Sequence, residues 1–242
     1  MHIWDTFVSR CTWTDCSVII FLLEVSQMKT KRLTESAMLI ALAVVLELVG
    51  KMVIPPMPFG GQLTLVSMLP IVLISYRHGV KWGLISGFAY SLIQMALGAG
   101  TVTAAFQPGY FGDGVMLGNA VIMCLLDYVA AYTVLGIGGI FRNSLKNPGI
   151  ALTLGSVVAL AGRYVTHILS GYILFSGWAE WFFTQEGFPG WGAGLVASLS
   201  PDALGWVYSI VYNGMYMVPE LILTAAAALL VARIPQITKK VS

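Results

Sequence analysis

Long apolar runs alternating with short basic clusters constrain this chain more than any other feature. Six apolar segments can be drawn, at about 33–54, 63–77, 79–99, 114–141, 149–176 and 204–232. Runs of this kind suit helices crossing a hydrocarbon core about 30 Å thick. The polar/apolar alternation of a membrane β-barrel is absent. Composition agrees: 57% of the residues are hydrophobic and only 10% charged, too little charge to cover a soluble domain of 242 residues. The expected fold is all-α, a polytopic membrane protein with a six-transmembrane-helix bundle forming one compact domain. The second segment is short, so it is expected to be tilted or partly buried under its neighbours. Gly79, Gly98, Pro148, Gly149 and Pro201 punctuate the helix ends.

The basic residues give the spans a direction. Lys29, Lys31 and Arg32 precede the first; Arg77 and Lys81 lie between the second and third. Arg142 and Lys146 lie between the fourth and fifth; Arg233, Lys239 and Lys240 follow the sixth. With six spans all four clusters fall on one side, so both termini are expected in the cytosol. The opposite loops, 55–62, 100–113 and 177–203, contain no Lys or Arg and carry Asp113, Glu180, Glu186 and Asp202.

Residues 1–27 are expected to stand apart as an upstream extension or peripheral tail, with the membrane domain over 28–242. Segment 17–25 is apolar but too short to span, and Glu24 interrupts it. It lacks the basic start and small-residue cleavage site of a signal peptide. Met28 opens the basic stretch that precedes the first span. Cys11, Cys16 and Cys124 have neither a disulfide framework nor zinc-site spacing and are read as free thiols.

Ionisable residues inside a bilayer are costly, which makes each a functional candidate. Five lie well within spans: Glu47, Asp127, Arg163, His167 and Glu220. Glu35, Lys51 and Arg77 lie near ends and can snorkel. At about 1.5 Å per residue, Asp127 falls roughly 18–20 Å deep in the fourth span. His167 falls in the outer half of the fifth, and Tyr208 and Asn213 within roughly 15 Å of the outer end of the sixth. A pocket open to the outside could collect these groups. Arg163 and His167, four residues apart, share a helix face. The structural alternatives stand beside these readings. Arg163 can simply pair with Glu47, Asp127 or Glu220; Glu220, after Pro219, can serve a kinked helix; His167 can be a satisfied bundle histidine. Trp178, Trp181, Trp191 and Trp206 fit an interfacial belt as well as a binding cage. Ala37 and Ala41 form a small-xxx-small pair that lets another helix approach closely. No Walker A sequence, protease motif, internal inverted repeat or metal-ligand cluster occurs.

Several stretches carry a family resemblance: Leu33 to Ala41, Leu69 to Gly79, Gly87 to Leu92, Leu126 to Val129, Gly162 to Gly171, and Tyr208 to Gly214. Together they resemble the thiamine-specific S component of energy-coupling factor (ECF) vitamin transporters, over most of residues 30–234. The resemblance implies a non-enzymatic, six-helix substrate-capture subunit of a bacterial cell membrane. Its implied partners are the lipid bilayer, a transmembrane coupling protein and two ABC-type ATPases, with no cofactor, metal or nucleic acid. Ala37 and Ala41 match the family's docking motif. Asp127 and Tyr128, His167, and Tyr208 and Asn213 match its thiamine pocket. Tyr90, Phe175 and Trp178 are candidate stacking surfaces. The chemistry suits a cationic thiazolium joined to a flat aminopyrimidine: a carboxylate balances the cation, aromatic faces attract it, and Asn and His offer oriented hydrogen bonds. The sequence departs from the family in three respects. Asp127 replaces the usual Glu. Tyr90 and Phe175 stand at or near positions where tryptophans are expected. Loop 177–203 is longer than expected. Loop 55–62, with Pro55, Pro56, Pro58, Gly60 and Gly61, reads as a lid.

Three other readings remain open: within the resemblance, an S component for another vitamin or a hydroxymethylpyrimidine precursor, and from the residues, an autonomous proton-coupled permease using Glu220 and Asp127 or an intramembrane enzyme using Asp127 and His167 as acid and base.

Overall fold

The structure, a computed structural model, describes residues 13–55, 62–111 and 117–240, with side chains from Lys29 onward. Most of the expected lid, Asp113, Cys11 and the start of the expected tail lie outside the described residues. The chain divides into two compact units, Met1–Met38 and Leu39–Ser242. The boundary falls inside one helix, α1 (Trp13–Val53). The first unit is helical from Trp13 to its end; the rest of this section concerns the second.

Among the described residues every regular element is helical. After α1 come α2 (Leu69–His78), α3 (Val80–Leu97) and α4 (Ala99–Ala105). They are followed by α5 (Leu117–Gly139) and α6 (Pro148–Phe175). The outer connection carries α7 (Ala179–Phe183) and α8 (Trp191–Ser198). Last come α9 (Pro201–Val231) and α10 (Pro235–Thr238). The expected punctuation marks real ends. Asn147 caps α6 by accepting from Gly149 N (2.8 Å) and Ile150 N (3.1 Å), with Pro148 in the first turn. Gly79, at φ 94°, makes the turn from α2 into α3 that a side chain would strain. Gly98 marks a 76° bend between α3 and α4.

Among the described residues, four helices are long and apolar enough to cross a membrane, or five if the bent α3–α4 pair counts as one span. The shortfall from six lies in the second segment. Helix begins only at Leu69, because residues 62–68 run as turn and coil. The ten-residue α2 is about 15 Å long, half a hydrocarbon core. It is instead the centre of the core: every residue from Leu69 to Tyr76 is buried. A helix apolar on all sides belongs in such a place.

Small residues bring the other helices onto it. The Ser75 hydroxyl donates to the Gly136 carbonyl and accepts from Gly139 N at 2.8 Å. A Cβ on Gly87 of α3 would stand 2.9 Å from the Tyr132 carbonyl oxygen of α5, so the two backbones touch there. Close approach through small residues is how helices associate without a hydrophobic driving force between them. Facing outward instead are large apolar side chains, among them Leu92, Val165, Ile173, Ile222 and Leu230. Glu47, Arg163, His167, Asn213 and Glu220 are all buried. Apolar outside and polar inside is the arrangement a lipid solvent demands.

α5 is irregular where its sequence gives no warning. It is α-helical to Met123, π-helical over Cys124–Ala130 and 3-10 over Val134–Gly139. The π segment turns Asp127 and Tyr128 away from the register of a regular helix. Three segments meet near the α2–α3 turn. Arg77 Nη1 donates to the carbonyls of Gln236 (2.7 Å) and Ile237 (2.6 Å) of α10. The Arg142 guanidinium lies beside Gly79.

Candidate functional site

The site is built on the seam between α6 and α9. Gly171 lets α9 approach, with Ser209 and Asn213 filling the space a side chain would occupy. The Ser209 hydroxyl donates to the Ile168 carbonyl at 2.7 Å, and the Tyr164 hydroxyl to the Ile210 carbonyl at 2.6 Å. Asn213 Nδ2 donates to the carbonyls of His167 (3.1 Å) and Ser209 (2.8 Å), while its Oδ1 accepts from the Tyr216 hydroxyl.

A chain of polar side chains then runs from this seam to the π segment of α5. Arg163 Nε donates to His167 Nε2 at 3.2 Å. His167 Nδ1 meets Asp127 Oδ1 at 3.0 Å, and the Ser170 hydroxyl donates to Asp127 Oδ2 at 2.8 Å. A guanidinium nitrogen can only donate, so Nε2 of His167 is the acceptor and the proton sits on Nδ1. The imidazole is then neutral and donates to the carboxylate. Arg163 lies over the Tyr132 ring, 4.1 Å from its centroid, and sends Nη1 to the Met68 sulfur at 3.3 Å. Among the described residues it makes no ion pair with Glu47, Asp127 or Glu220. It reaches Asp127 through His167.

The Asp127 carboxylate borders a cavity of about 230 Å³ lined by Asp127, His167, Ser170, Gly171, Phe175, Tyr208, Tyr212, Asn213 and Tyr216. A second, more open cavity of about 260 Å³ adjoins it through Phe175, Tyr208 and Tyr212; Tyr110, Trp178, Trp181 and Phe182 complete its walls. Burial and the nearby Asp127 carboxylate both push the Tyr110 phenol above its ordinary range, so it stays neutral.

Of the residues singled out in the sequence, Asp127, His167, Tyr208, Asn213 and Phe175 line the first cavity and Trp178 the second. Two lie elsewhere. Tyr90 is fully buried against Tyr132, its ring centroid 5.3 Å away, and its hydroxyl donates to Glu47 Oε2 at 3.2 Å. Gln94 donates to the same carboxylate, and Lys51 closes the group with a 2.7 Å ion pair to Glu47. Tyr128 turns toward the α3–α4 bend, its phenol packed where a Cβ on Gly98 would stand. Trp191 and Trp206 line neither cavity; Trp206 stacks on Tyr172, centroids 4.0 Å apart. Ala41 is exposed, and Ala37 belongs to the first unit. Glu220 accepts from Thr64 N at 2.9 Å and from the Thr224 hydroxyl at 3.5 Å.

Sequence reasoning missed Ser170, Gly171, Tyr212 and Tyr216. The signal was present: Ser170 and Gly171 follow His167 by three and four residues, and Tyr208, Tyr212 and Tyr216 recur at intervals of four, each set on one helix face.

Comparison with known proteins bears on what such a site serves. The profile of a family described as thiamine transporter protein (Thia_YuaJ) matches residues 33–182. A curated relative, thiamine transporter ThiT of Bacillus subtilis (strain 168), is 31% identical over 203 residues, spanning 80% of this chain and 86% of the relative. The solved structure of ThiT from Listeria monocytogenes superposes with a TM-score of 0.59 at 19% identity, over 87% of this chain and 98% of that one; this likeness speaks to the fold. Both descriptions are of transporters and not of enzymes, which removes the acid–base reading of Asp127 and His167. With its outward apolar faces, buried polar core and extent of match, the chain belongs to the thiamine transporter protein family.

Proposed function

We propose that this chain is the substrate-capturing S component of an ECF-type transporter, taking thiamine from outside a bacterial cell for ATP-driven uptake by its partners. Those partners are a transmembrane coupling protein and two ABC-type ATPases. The observation that carries the reading is the Asp127 carboxylate facing a cavity walled by Phe175, Tyr208, Tyr212 and Tyr216. A cation with a flat ring finds there both a countercharge and aromatic faces. The two adjoining cavities together fall within the roughly 300–1,000 Å³ usual for small-molecule sites.

The hydrogen bonding divides the labour. His167 has both ring nitrogens engaged, and Asn213 has its amide hydrogens on backbone carbonyls. These two brace the site. The Asp127 carboxylate and the phenols of Tyr208 and Tyr212 are the groups that meet the ligand. Trp178 and Trp181 form the outer wall. Tyr90 serves the Glu47 cluster, and Tyr128 supports the site from behind.

Residues 28–242 form the membrane domain in this reading, with residues 1–27 as an extension. Six helices (α1, α2, α3 with α4, α5, α6 and α9) make up the bundle, the short α2 being enclosed by the others. Both termini are cytosolic. The meeting of Arg77, Arg142 and α10 near the α2–α3 turn supports that orientation, because basic residues stay on the cytosolic side. Ala37 and Ala41 form the surface for the coupling protein.

Titration of the purified protein with thiamine, followed by tryptophan fluorescence and calorimetry, tests the proposal. Saturable binding with a change from Trp178 and Trp181 is expected. No binding, or tighter binding of hydroxymethylpyrimidine than of thiamine, refutes the thiamine assignment. Uptake into vesicles that lack the ATPases refutes the dependence on partners.

A further inference from the structure

Arg163 touches neither cavity, yet it is buried within the bundle, one hydrogen bond behind the site. An Arg so placed carries a desolvation cost, and among the described residues no carboxylate pairs with it directly. Its contacts include His167 Nε2, the Tyr132 ring and the Met68 sulfur. The first of these reaches a residue that lines the cavity and holds the Asp127 carboxylate.

We propose that Arg163 is the positioning residue of this site, occupying Nε2 of His167 so that the imidazole stays neutral and the Asp127 charge remains available to a cationic ligand. The inference rests on the reading of the cavity as a site for such a cation. A histidine beside a carboxylate ordinarily takes a second proton and forms an ion pair. Here that would cancel the charge the ligand needs. The donor from Arg163 blocks the second proton, because two N–H groups cannot share one hydrogen bond. The other neighbours of His167 do not supply a competing charge. Tyr216 on α9 stands edge-on with centroids 6.1 Å apart, and the neutral Asn213 amide donates to the backbone carbonyl of His167. Ser170 donates to the second carboxylate oxygen and fixes its rotation.

The test reads the imidazole itself. Long-range proton–nitrogen correlation spectra of the ¹⁵N-histidine-labelled full chain in detergent, with His2 and His78 replaced to assign the signal, report the His167 protonation pattern. At neutral pH and without ligand the neutral Nδ1–H form is expected. It should persist in Asp127→Ala, since Arg163 rather than the carboxylate imposes it. Arg163→Met should convert His167 to the doubly protonated imidazolium and weaken thiamine binding roughly tenfold or more. Arg163→Lys, which retains a donor, should restore the neutral form. An Nε2–H or doubly protonated His167 in the wild type, or a neutral Nδ1–H form in Arg163→Met, overturns the proposal. If Arg163→Met does not fold, the wild-type and Asp127→Ala spectra decide: loss of the neutral Nδ1–H form in either overturns it. These spectra need no ligand, so their outcome is separate from whether thiamine binds. Expected spectra with no thiamine binding would remove the transport reading and leave the imidazole lock intact.

Discussion

Asp127→Asn isolates the charge of the site from its shape. The two side chains are isosteric, and the surroundings accept the change. His167 Nδ1–H, 3.0 Å from Oδ1, can donate equally to an amide oxygen. The Ser170 hydroxyl, now a donor to Oδ2, can turn and accept from the new amide group. What disappears is one negative charge. The Asp127 side chain is 23% exposed, so the medium around it is nearer an effective dielectric of about 20 than that of a dry interior. A cation about 4 Å away would then gain up to roughly 4 kcal/mol. Desolvation of the cation consumes part of this, leaving a net loss on mutation of roughly 1.5–3 kcal/mol, or about 10–150-fold in affinity. A neutral ligand carrying only the aminopyrimidine, such as hydroxymethylpyrimidine, should lose no more than a few-fold. Calorimetric titration of both proteins with both ligands measures the four affinities, and thermal unfolding in the same detergent checks that the variant is intact. Equal losses for the charged and the neutral ligand would refute the charge-pairing argument, because they would show Asp127 acting through hydrogen bonds alone.

Gly87→Ala should lower the unfolding temperature by several degrees, since its Cβ would press on the Tyr132 and Thr133 carbonyl oxygens at 2.9 and 3.0 Å; Gly100→Ala, with nothing within 4 Å, should not lower it. Glu220→Gln should be well tolerated because an amide oxygen still accepts from Thr64 N, whereas Glu220→Ala leaves that donor without its partner and should cost about 1–3 kcal/mol in denaturation of the detergent-solubilised protein. Ala41→Trp should leave thiamine affinity unchanged and abolish uptake in cells carrying the partner subunits; unimpaired uptake would remove α1 as the docking face.

Much of the fold was legible because lipid imposes simple rules. Apolar runs had to be helical, and their ends coincide with Gly79, Gly98 and Pro148 as the residue types require. Intramembrane ionisable groups had to turn inward, and Glu47, Arg163, His167 and Glu220 do. The exceptions share a cause. The second apolar segment reads like any other run, but it coils into a helix only from Leu69 onward, and its neighbours, not lipid, cover it. The π segment at Cys124–Ala130 has no residue signature of its own. Tyr90 looks as suitable a stacking surface as Tyr208 until Glu47 is seen to hold its hydroxyl.

The residues by themselves therefore determined that this chain is an all-helical membrane protein, and they named Asp127, His167, Tyr208, Asn213 and Phe175 together. The fold class and the shared depth of Asp127, His167, Tyr208 and Asn213 follow from hydrophobicity, charge placement and spacing, which are local properties, whereas Phe175 entered through the family resemblance. Only the tertiary structure decided how the polar groups are shared. It gave Tyr90 to Glu47, brought Tyr212 and Tyr216 to the cavity, and interposed His167 between Arg163 and Asp127. The physical reason is that a buried polar group must find a partner, and which partner it finds depends on the rotation and closeness of helices distant in sequence.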